Sequence, residues 1–187
     1  MNFFTAAVSR RALFSKAAGI LLCVSLAACT GQDTTESVYI ADEAEQAPAT
    51  YYLVRHAEKE LTGDDPALSA AGYARAEALA AVLSGIQFDG IYSTDTRRTR
   101  DTAAPTLAAT NLTLQLYNGR ALKEFSQELL RLDGNYLIVG HSNTTPQLAE
   151  ALGGEGGDPI VEADEYDRLY VLTRSSGVMI TELRRYP

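Results

Sequence analysis

The chain has 187 residues, of which 46% are hydrophobic and 21% charged, a globular composition rather than a disordered or fibrous one. Its formal net charge is −8, and loss of the basic N-terminal stretch described below makes the remainder more acidic still. A surface of that sign argues against nucleic acid as a partner, because such binding needs clustered Lys and Arg to displace counterions. An anionic substrate must therefore meet a local basic pocket.

The first residues read as an export signal. Arg10, Arg11 and Lys16 form a basic stretch, and the run from Ala17 to Ala28 is apolar apart from Gly19 and Ser25. That run is shorter than the about 20 residues a permanent membrane helix needs. It ends in Leu26-Ala27-Ala28-Cys29, which resembles a bacterial lipobox. Residues 1–28 are therefore predicted to be a lipoprotein signal peptide, with Cys29 as the site of lipidation. Ser9-Arg10-Arg11-Ala12-Leu13-Phe14 also resembles a twin-arginine export motif, so the general secretory route and the twin-arginine route both stay open. Cys23 leaves with the signal, and a mature chain whose one thiol is lipidated forms no disulfide. Residues 29–50 carry Asp33, Glu36, Asp42, Glu43 and Glu45 and read as an acidic tether. Thr30 after Cys29 resembles the sorting pattern of outer-membrane lipoproteins. The expectation is an exported lipoprotein of the cell envelope, anchored in the outer membrane and facing the periplasm.

From Tyr51 onward short apolar runs alternate with helical patterns, which predicts one α/β domain over residues 51–187, a three-layer α/β/α sandwich on a largely parallel mixed sheet. Strands are expected at Tyr51 to Arg55, Phe88 to Ser93, Leu112 to Tyr117 and Tyr136 to Gly140. Ser69 reads as the N-cap of a helix reaching toward Gly85, and a second helix runs from about Thr96 to Ala109 with Pro105 inside it. Arg120 to Leu132 is amphipathic, and Thr144 or Thr145 caps a helix with Pro146 in its first turn. Arg168 to Thr173 and Val178 to Leu183 form a closing hairpin around Ser175-Ser176-Gly177.

The chain has two histidines, and each directly follows a predicted strand: His56 after Arg55, and His141 after Gly140. In open α/β sheets ligands bind at the carboxyl ends of the strands, so both imidazoles are candidates for one site. Leu53-Val54-Arg55-His56-Ala57-Glu58 resembles the Arg-His-Gly or Arg-His-Ala signature of the histidine phosphatase (phosphoglycerate mutase-like) superfamily. In the family's order follow Leu68-Ser69-Ala70-Ala71-Gly72, similar to its Leu-Thr-x-x-Gly helix start, and Ile91-Tyr92-Ser93-Thr94 with Arg98-Thr99-Arg100-Asp101-Thr102-Ala103. Val139-Gly140-His141-Ser142-Asn143 completes the set.

The resemblance implies a phosphoglycerate mutase-like fold and a phosphatase acting on phosphomonoesters or phosphohistidine. It further implies a covalent phosphohistidine on His56, hydrolysed by water, with no metal and no cofactor. Phosphoryl transfer is chiefly positioning and charge stabilisation around three equatorial oxygens. Arg55, Arg98 and His141 are the candidate catalytic and substrate-binding shell, with Asn143 as a neutral donor. Arginine suits the task because its planar fork bonds two oxygens and keeps its charge. The attacking nitrogen of His56 must be unprotonated, with the other held against an acceptor. Arg97 and Arg100 flank Arg98 and are expected to face solvent. Arg120 follows a strand and either reaches the pocket or stays in solvent. Glu58 either orients a pocket arginine or is a plain loop carboxylate. Leu122-Lys123-Glu124 resembles the family's proton-donor segment, yet Glu124 fits the amphipathic pattern equally well, so it is either the general acid or an exposed helix residue.

Two other functions remain open: a phosphoglycerate mutase-type phosphotransferase, and a non-catalytic phosphate-binding lipoprotein. The partner is accordingly a phosphorylated small molecule or a phosphoprotein, with the membrane engaged through the anchor. Short connections around the site predict a shallow pocket with weak selectivity among small phosphomonoesters.

Overall fold

The computed structural model describes residues 48–187; the predicted signal peptide, Cys29 and nearly all of the acidic tether lie outside the described residues. In chain order the elements are β1 (Ala49–Arg55), α1 (Ala70–Val82), β2 (Gly90–Ser93), α2 (Arg97–Ala108), β3 (Gln115–Leu116), α3 (Leu122–Leu129), β4 (Gly134–Gly140), α4 (Thr144–Ala151), β5 (Arg168–Ser175) and β6 (Val178–Arg185). They build one six-stranded sheet in the order β3-β2-β4-β1-β5-β6. The first four neighbours run parallel, and β5 and β6 join antiparallel. Ser176 and Gly177 both have positive φ (50° and 76°) between the paired Ser175 and Val178, which is the two-residue turn whose twist matches a hairpin.

Alternation along the central strands assigns the two layers. Tyr51, Leu53, Tyr136, Ile138, Tyr170 and Leu172 pack with Phe125 and Leu129 of α3 and Leu148 of α4. Val54, Leu137, Val139, Leu169 and Val171 pack with Leu79 of α1 and Ala103 of α2. Helices therefore cover both faces, as expected. The interior strands carry near-continuous apolar runs because both their faces are buried, and each buried Leu, Ile or Val contributes about 1.5–3 kcal/mol.

Local chemistry places the loop that follows β1. Ser69 caps α1 by accepting from the Gly72 N–H at 3.2 Å, while the Glu58 carbonyl accepts from the Ser69 N–H at 2.9 Å. The approach is so close that a Cβ on Gly72 would stand 2.0 Å from the Glu58 carbonyl oxygen. The Glu58 carboxylate takes Arg75 of α1, with Nε 2.8 and 3.0 Å from its two oxygens. Glu58 thus fastens the loop to α1.

Some elements differ from expectation. β1 starts at Ala49, two residues early, because Ala49 and Thr50 pair with Gly134 and Asn135. β3 shrinks to two residues at the sheet edge: Leu112 and Leu114 pack into the layer under α1 and α2, and Gln115 and Leu116 alone make ladder pairs. At α4 the cap position falls to Asn143, whose side chain makes no capping bond. Thr144 and Thr145 are inside the helix and use their hydroxyls elsewhere: Thr144 Oγ1 accepts from the His141 N–H at 2.9 Å, and Thr145 Oγ1 donates to the Val54 carbonyl at 3.2 Å.

Candidate active site

β1 and β4 are parallel neighbours, with Arg55 opposite Gly140, so the residues that follow them emerge side by side. The His56 N–H extends the ladder by donating to the Gly140 carbonyl at 2.9 Å. The two imidazoles lie 5.5 Å apart, edge to face at 70°. Arg98, in the first turn of α2, brings Nη2 to 3.5 Å from His141 Nδ1. Three of the expected site residues therefore meet at the carboxyl ends of β1, β2 and β4.

His56 is 3% exposed, and its Nδ1 lies 2.7 Å from the Ala57 carbonyl oxygen. A carbonyl can only accept, so Nδ1 carries the proton and Nε2 keeps its lone pair. Burial pushes the imidazole down to about 3, assisted by the positive fields of Arg55 and Arg98, while the Ala57 carbonyl works in the opposite sense. At neutral pH the ring is uncharged, its tautomer is fixed and its Nε2 lone pair is free to react. The loop holding Ala57 is itself pinned: the Ala57 N–H donates to Thr102 Oγ1 at 2.9 Å, and Thr102 donates to the Arg98 carbonyl at 2.7 Å.

His141 is lowered to about 4, first by burial and then by Arg98 and Arg55. Its Nε2 is 2.9 Å from Thr94 Oγ1, which passes its own hydrogen to Thr99 Oγ1 at 3.1 Å. That chain assigns the proton to Nε2 and leaves Nδ1 facing the Arg98 guanidinium. Thr94 follows β2 and Thr99 lies in α2, so His141 is oriented by the same two elements that deliver Arg98.

Arg55 is placed differently from Arg98 and His141. It is 1% exposed, and its terminal nitrogens are committed to the turn 161–165: Nη1 donates to the Glu165 carbonyl at 3.0 Å and to that of Val161 at 3.4 Å, and Nη2 donates to the Glu162 carbonyl at 2.7 Å. The Tyr166 ring lies 4.0 Å from its Cζ. Its Nε is buried without a hydrogen-bond partner, and so is the Nε of Arg98. Asn143 is exposed beside His141 at the mouth of α4.

Two residues at the site escaped the sequence reading. Tyr166 precedes β5, and its ring stands 6.2 Å from the His56 ring. Asp65, in the loop after β1, accepts from the Arg97 N–H with both oxygens at 3.0 Å and lies 3.6 Å from Arg98 Nη1. It supplies the cap that α2 lacks from Thr96. No local signal marks Tyr166, whereas an Asp closing the Gly63-Asp64-Asp65-Pro66 turn is a recognisable capping candidate. The segment before β5 therefore borders His56, and the loop after β1 borders Arg98.

Of the remaining candidates, Arg120 shares a cleft with His141, and the others have surroundings of their own. Glu124 lines a separate hollow with Tyr92, Gln115 and Glu128. Arg97 pairs with Asp101 and Arg100 with Asp95. Arg120 lines a cleft of about 690 Å³ together with Thr94, Tyr117, His141 and Asn143. Among the described residues no group of three His, Cys, Asp or Glu side chains is placed to hold a metal ion.

Residues 51–131 match the histidine phosphatase superfamily (branch 1). The solved structures similar to this chain agree with that fold. A mycobacterial glucosyl-3-phosphoglycerate phosphatase is 16% identical, with a TM-score of 0.56 over 74% of this chain and 98% of that one. A candidate phosphohistidine phosphatase SixA from Agrobacterium tumefaciens is 23% identical, with a TM-score of 0.54 over 74% and 96%. Phosphoglycerate mutase from Bacillus anthracis is 16% identical, with a TM-score of 0.54 over 75% and 93%. At these identities the likeness is one of fold. No match was found among curated protein sequences.

Proposed function

We propose that this chain is a phosphatase that takes a phosphoryl group from a phosphomonoester or a phosphohistidine onto Nε2 of His56 and passes it to water, without a metal or cofactor. The observation that carries the reading is the 2.7 Å contact of His56 Nδ1 with the Ala57 carbonyl in a neutral, buried ring. Attack by Nε2 forms the N–P bond as the bond from phosphorus to the leaving group breaks. The positive charge that develops on the ring is stabilised by the Nδ1–H donated to Ala57. Arg98 and His141 face the phosphoryl oxygens. Their own 3.5 Å contact is long for a hydrogen bond, and an arriving anion both replaces it and favours protonation of His141. Arg55 contributes its charge and its unpartnered Nε, because its terminal nitrogens are already engaged. Water attacking the phosphohistidine releases inorganic phosphate and restores Nε2.

Glu124 opens on another hollow, so the reading gives it no part in proton donation. Leaving groups of low basicity, such as phenols and imidazole, are then favoured over alkoxides. Lipidation at Cys29 and an outer-membrane, periplasm-facing location belong to the same proposal and rest on the Leu26 to Cys29 pattern. The test is turnover of phenyl phosphate and of a phosphohistidine peptide. His56→Ala is expected to remove both activities and EDTA to leave both intact; turnover by His56→Ala, or its loss with EDTA, overturns the proposal.

A further inference from the structure

The buried face of α2 carries hydroxyls where packing alone would favour apolar side chains. Its buried residues are Thr99, Thr102, Ala103 and Thr106. Threonine is a poor helix former, and a buried hydroxyl costs stability unless it is hydrogen-bonded. The three threonines meet that demand differently. Thr99 Oγ1 donates at its own end of the helix, with the carbonyls of Thr94 and Thr96 both 2.9 Å away. Thr106 Oγ1 has no hydrogen-bond partner among the described residues. Thr102 Oγ1 donates to the Arg98 carbonyl one turn back at 2.7 Å and accepts from the Ala57 N–H at 2.9 Å. Its donor is thus satisfied within the helix, and its acceptor reaches across to the loop after β1.

That second bond falls on the residue that orients the nucleophile. At the end of β1 the His56 N–H donates to the Gly140 carbonyl, and the next N–H, that of Ala57, donates to Thr102. The peptide units on either side of the His56 Cα are therefore held by two different elements. The imidazole then closes on the Ala57 carbonyl through Nδ1 at 2.7 Å. Of these three bonds, those of the His56 N–H and of Nδ1 go to backbone carbonyls, and the third goes to a side chain that is 0% exposed. Because Thr102 also grips the Arg98 carbonyl, one hydroxyl joins the backbone of the nucleophile to that of the cation assigned to the phosphoryl oxygens.

We infer that Thr102 is a positioning residue, whose hydroxyl holds the His56–Ala57 peptide so that the imidazole keeps its Nδ1–H on the Ala57 carbonyl and its Nε2 aimed at phosphorus. The inference rests on the phosphatase reading above and deepens it. Thr102 acts through the backbone, so its contribution falls on the rate of phosphoryl transfer and not on the binding of phosphate. Arg98 keeps its place without the hydroxyl, because its carbonyl also accepts the Thr102 N–H of the helical ladder.

The test compares three variants. Thr102→Val keeps the shape of the side chain and removes the hydroxyl, Thr102→Ser keeps the hydroxyl, and Thr106→Val removes a hydroxyl that bonds nothing. The rate of His56 labelling by phosphoramidate should fall about ten- to a hundredfold in Thr102→Val, the scale on which a misplaced nucleophile loses rate, while the inhibition constant of inorganic phosphate stays within about threefold. Thr102→Ser should return the rate to within about threefold of wild type, and Thr106→Val should match wild type. A nitrogen NMR spectrum of the imidazoles gives a reading independent of turnover. Wild type should show His56 as the Nδ1-protonated tautomer alone, and Thr102→Val a mixture of both tautomers. Labelling of folded Thr102→Val at the wild-type rate, a loss that Thr102→Ser shares, or a phosphate affinity that falls in step with the rate overturns the inference. A His56 spectrum unchanged by the substitution does the same. If Thr102→Val does not fold, Thr102→Ala, with its better helix former, takes its place in each comparison. Absence of labelling in wild type removes the phosphatase reading, and the imidazole spectrum then decides the positioning on its own.

Discussion

Lowering the pH should destabilise the fold through His56. The imidazole is 3% exposed and depressed from 6.5 to about 3, chiefly by burial. Between those two values the unfolded chain binds a proton that the folded chain refuses. Stability therefore rises with pH across that window and is lost as pH falls through it. One proton corresponds to about 1.36 kcal/mol per pH unit, so at pH 4.5 the His56 contribution amounts to about 2.7 kcal/mol relative to pH 8. The whole interval, down to pH 3, gives at most about 4–5 kcal/mol. His141 adds a loss of the same sign, smaller because it is lowered only to about 4 and is less deeply buried. Urea unfolding of wild type and His56→Gln at half-unit steps from pH 8 to 4.5 reads the effect, since glutamine keeps a donor for the Ala57 carbonyl and does not titrate. The difference between the two stability curves should change by about 2–3 kcal/mol over that range. Parallel curves would show that His56 is solvated and protonates normally, and the neutral-nucleophile account would fail with it.

Three other perturbations follow from the geometry. Gly72→Ala places a Cβ 2.0 Å from the Glu58 carbonyl oxygen, so α1 and the loop bearing His56 must move apart; thermal unfolding should show a loss of at least about 2–3 kcal/mol, and a change below 1 kcal/mol contradicts the packing described. Asp65 lies 3.6 Å from Arg98 while capping α2, so at the proposed site it would compete with phosphate; Asp65→Asn should lower the inhibition constant of inorganic phosphate about two- to fivefold, and a weaker inhibition would mean that the cap matters more than the competition. Cys29→Ser should move the protein from the detergent phase to the aqueous phase of a cloud-point extraction, and identical partitioning of wild type and variant removes the lipid anchor.

The parts of the site governed by local pattern were legible in the sequence. Apolar runs ending in His56 and His141 marked two buried parallel strands, and Ser69 three residues before Gly72 marked a cap that forms as read. Arg98 was assigned to the phosphate shell, and it does approach His141. Arg55 shows where local reading stops. The resemblance of Arg55-His56 to the family signature implies a phosphate ligand, yet the terminal nitrogens of Arg55 reach carbonyls more than 100 residues away, in a turn with no motif of its own. Tyr166 was invisible for the same reason, since its proximity to His56 arises from the antiparallel return of β5 beside β1. Glu124 was ambiguous because one carboxylate on an amphipathic helix satisfies both a catalytic pattern and a solvent-facing one, and the structure assigns it to a hollow apart from the histidines. The threonines at 144 and 145 misled for a related reason: a hydroxyl near a helix start can cap it, or it can tie neighbouring backbone, as these do for His141 and Val54.

The central claim is that Nε2 of His56 becomes covalently phosphorylated. Brief exposure of the protein to phosphoramidate, followed by alkaline quench and peptide mapping, reads that bond directly, because a phosphoramidate linkage survives base and is lost in acid. The account predicts an acid-labile phosphoryl group on His56 in wild type, and none in His56→Gln. Labelling that persists in His56→Gln, or that maps to His141 or to an acid-stable ester, would contradict it.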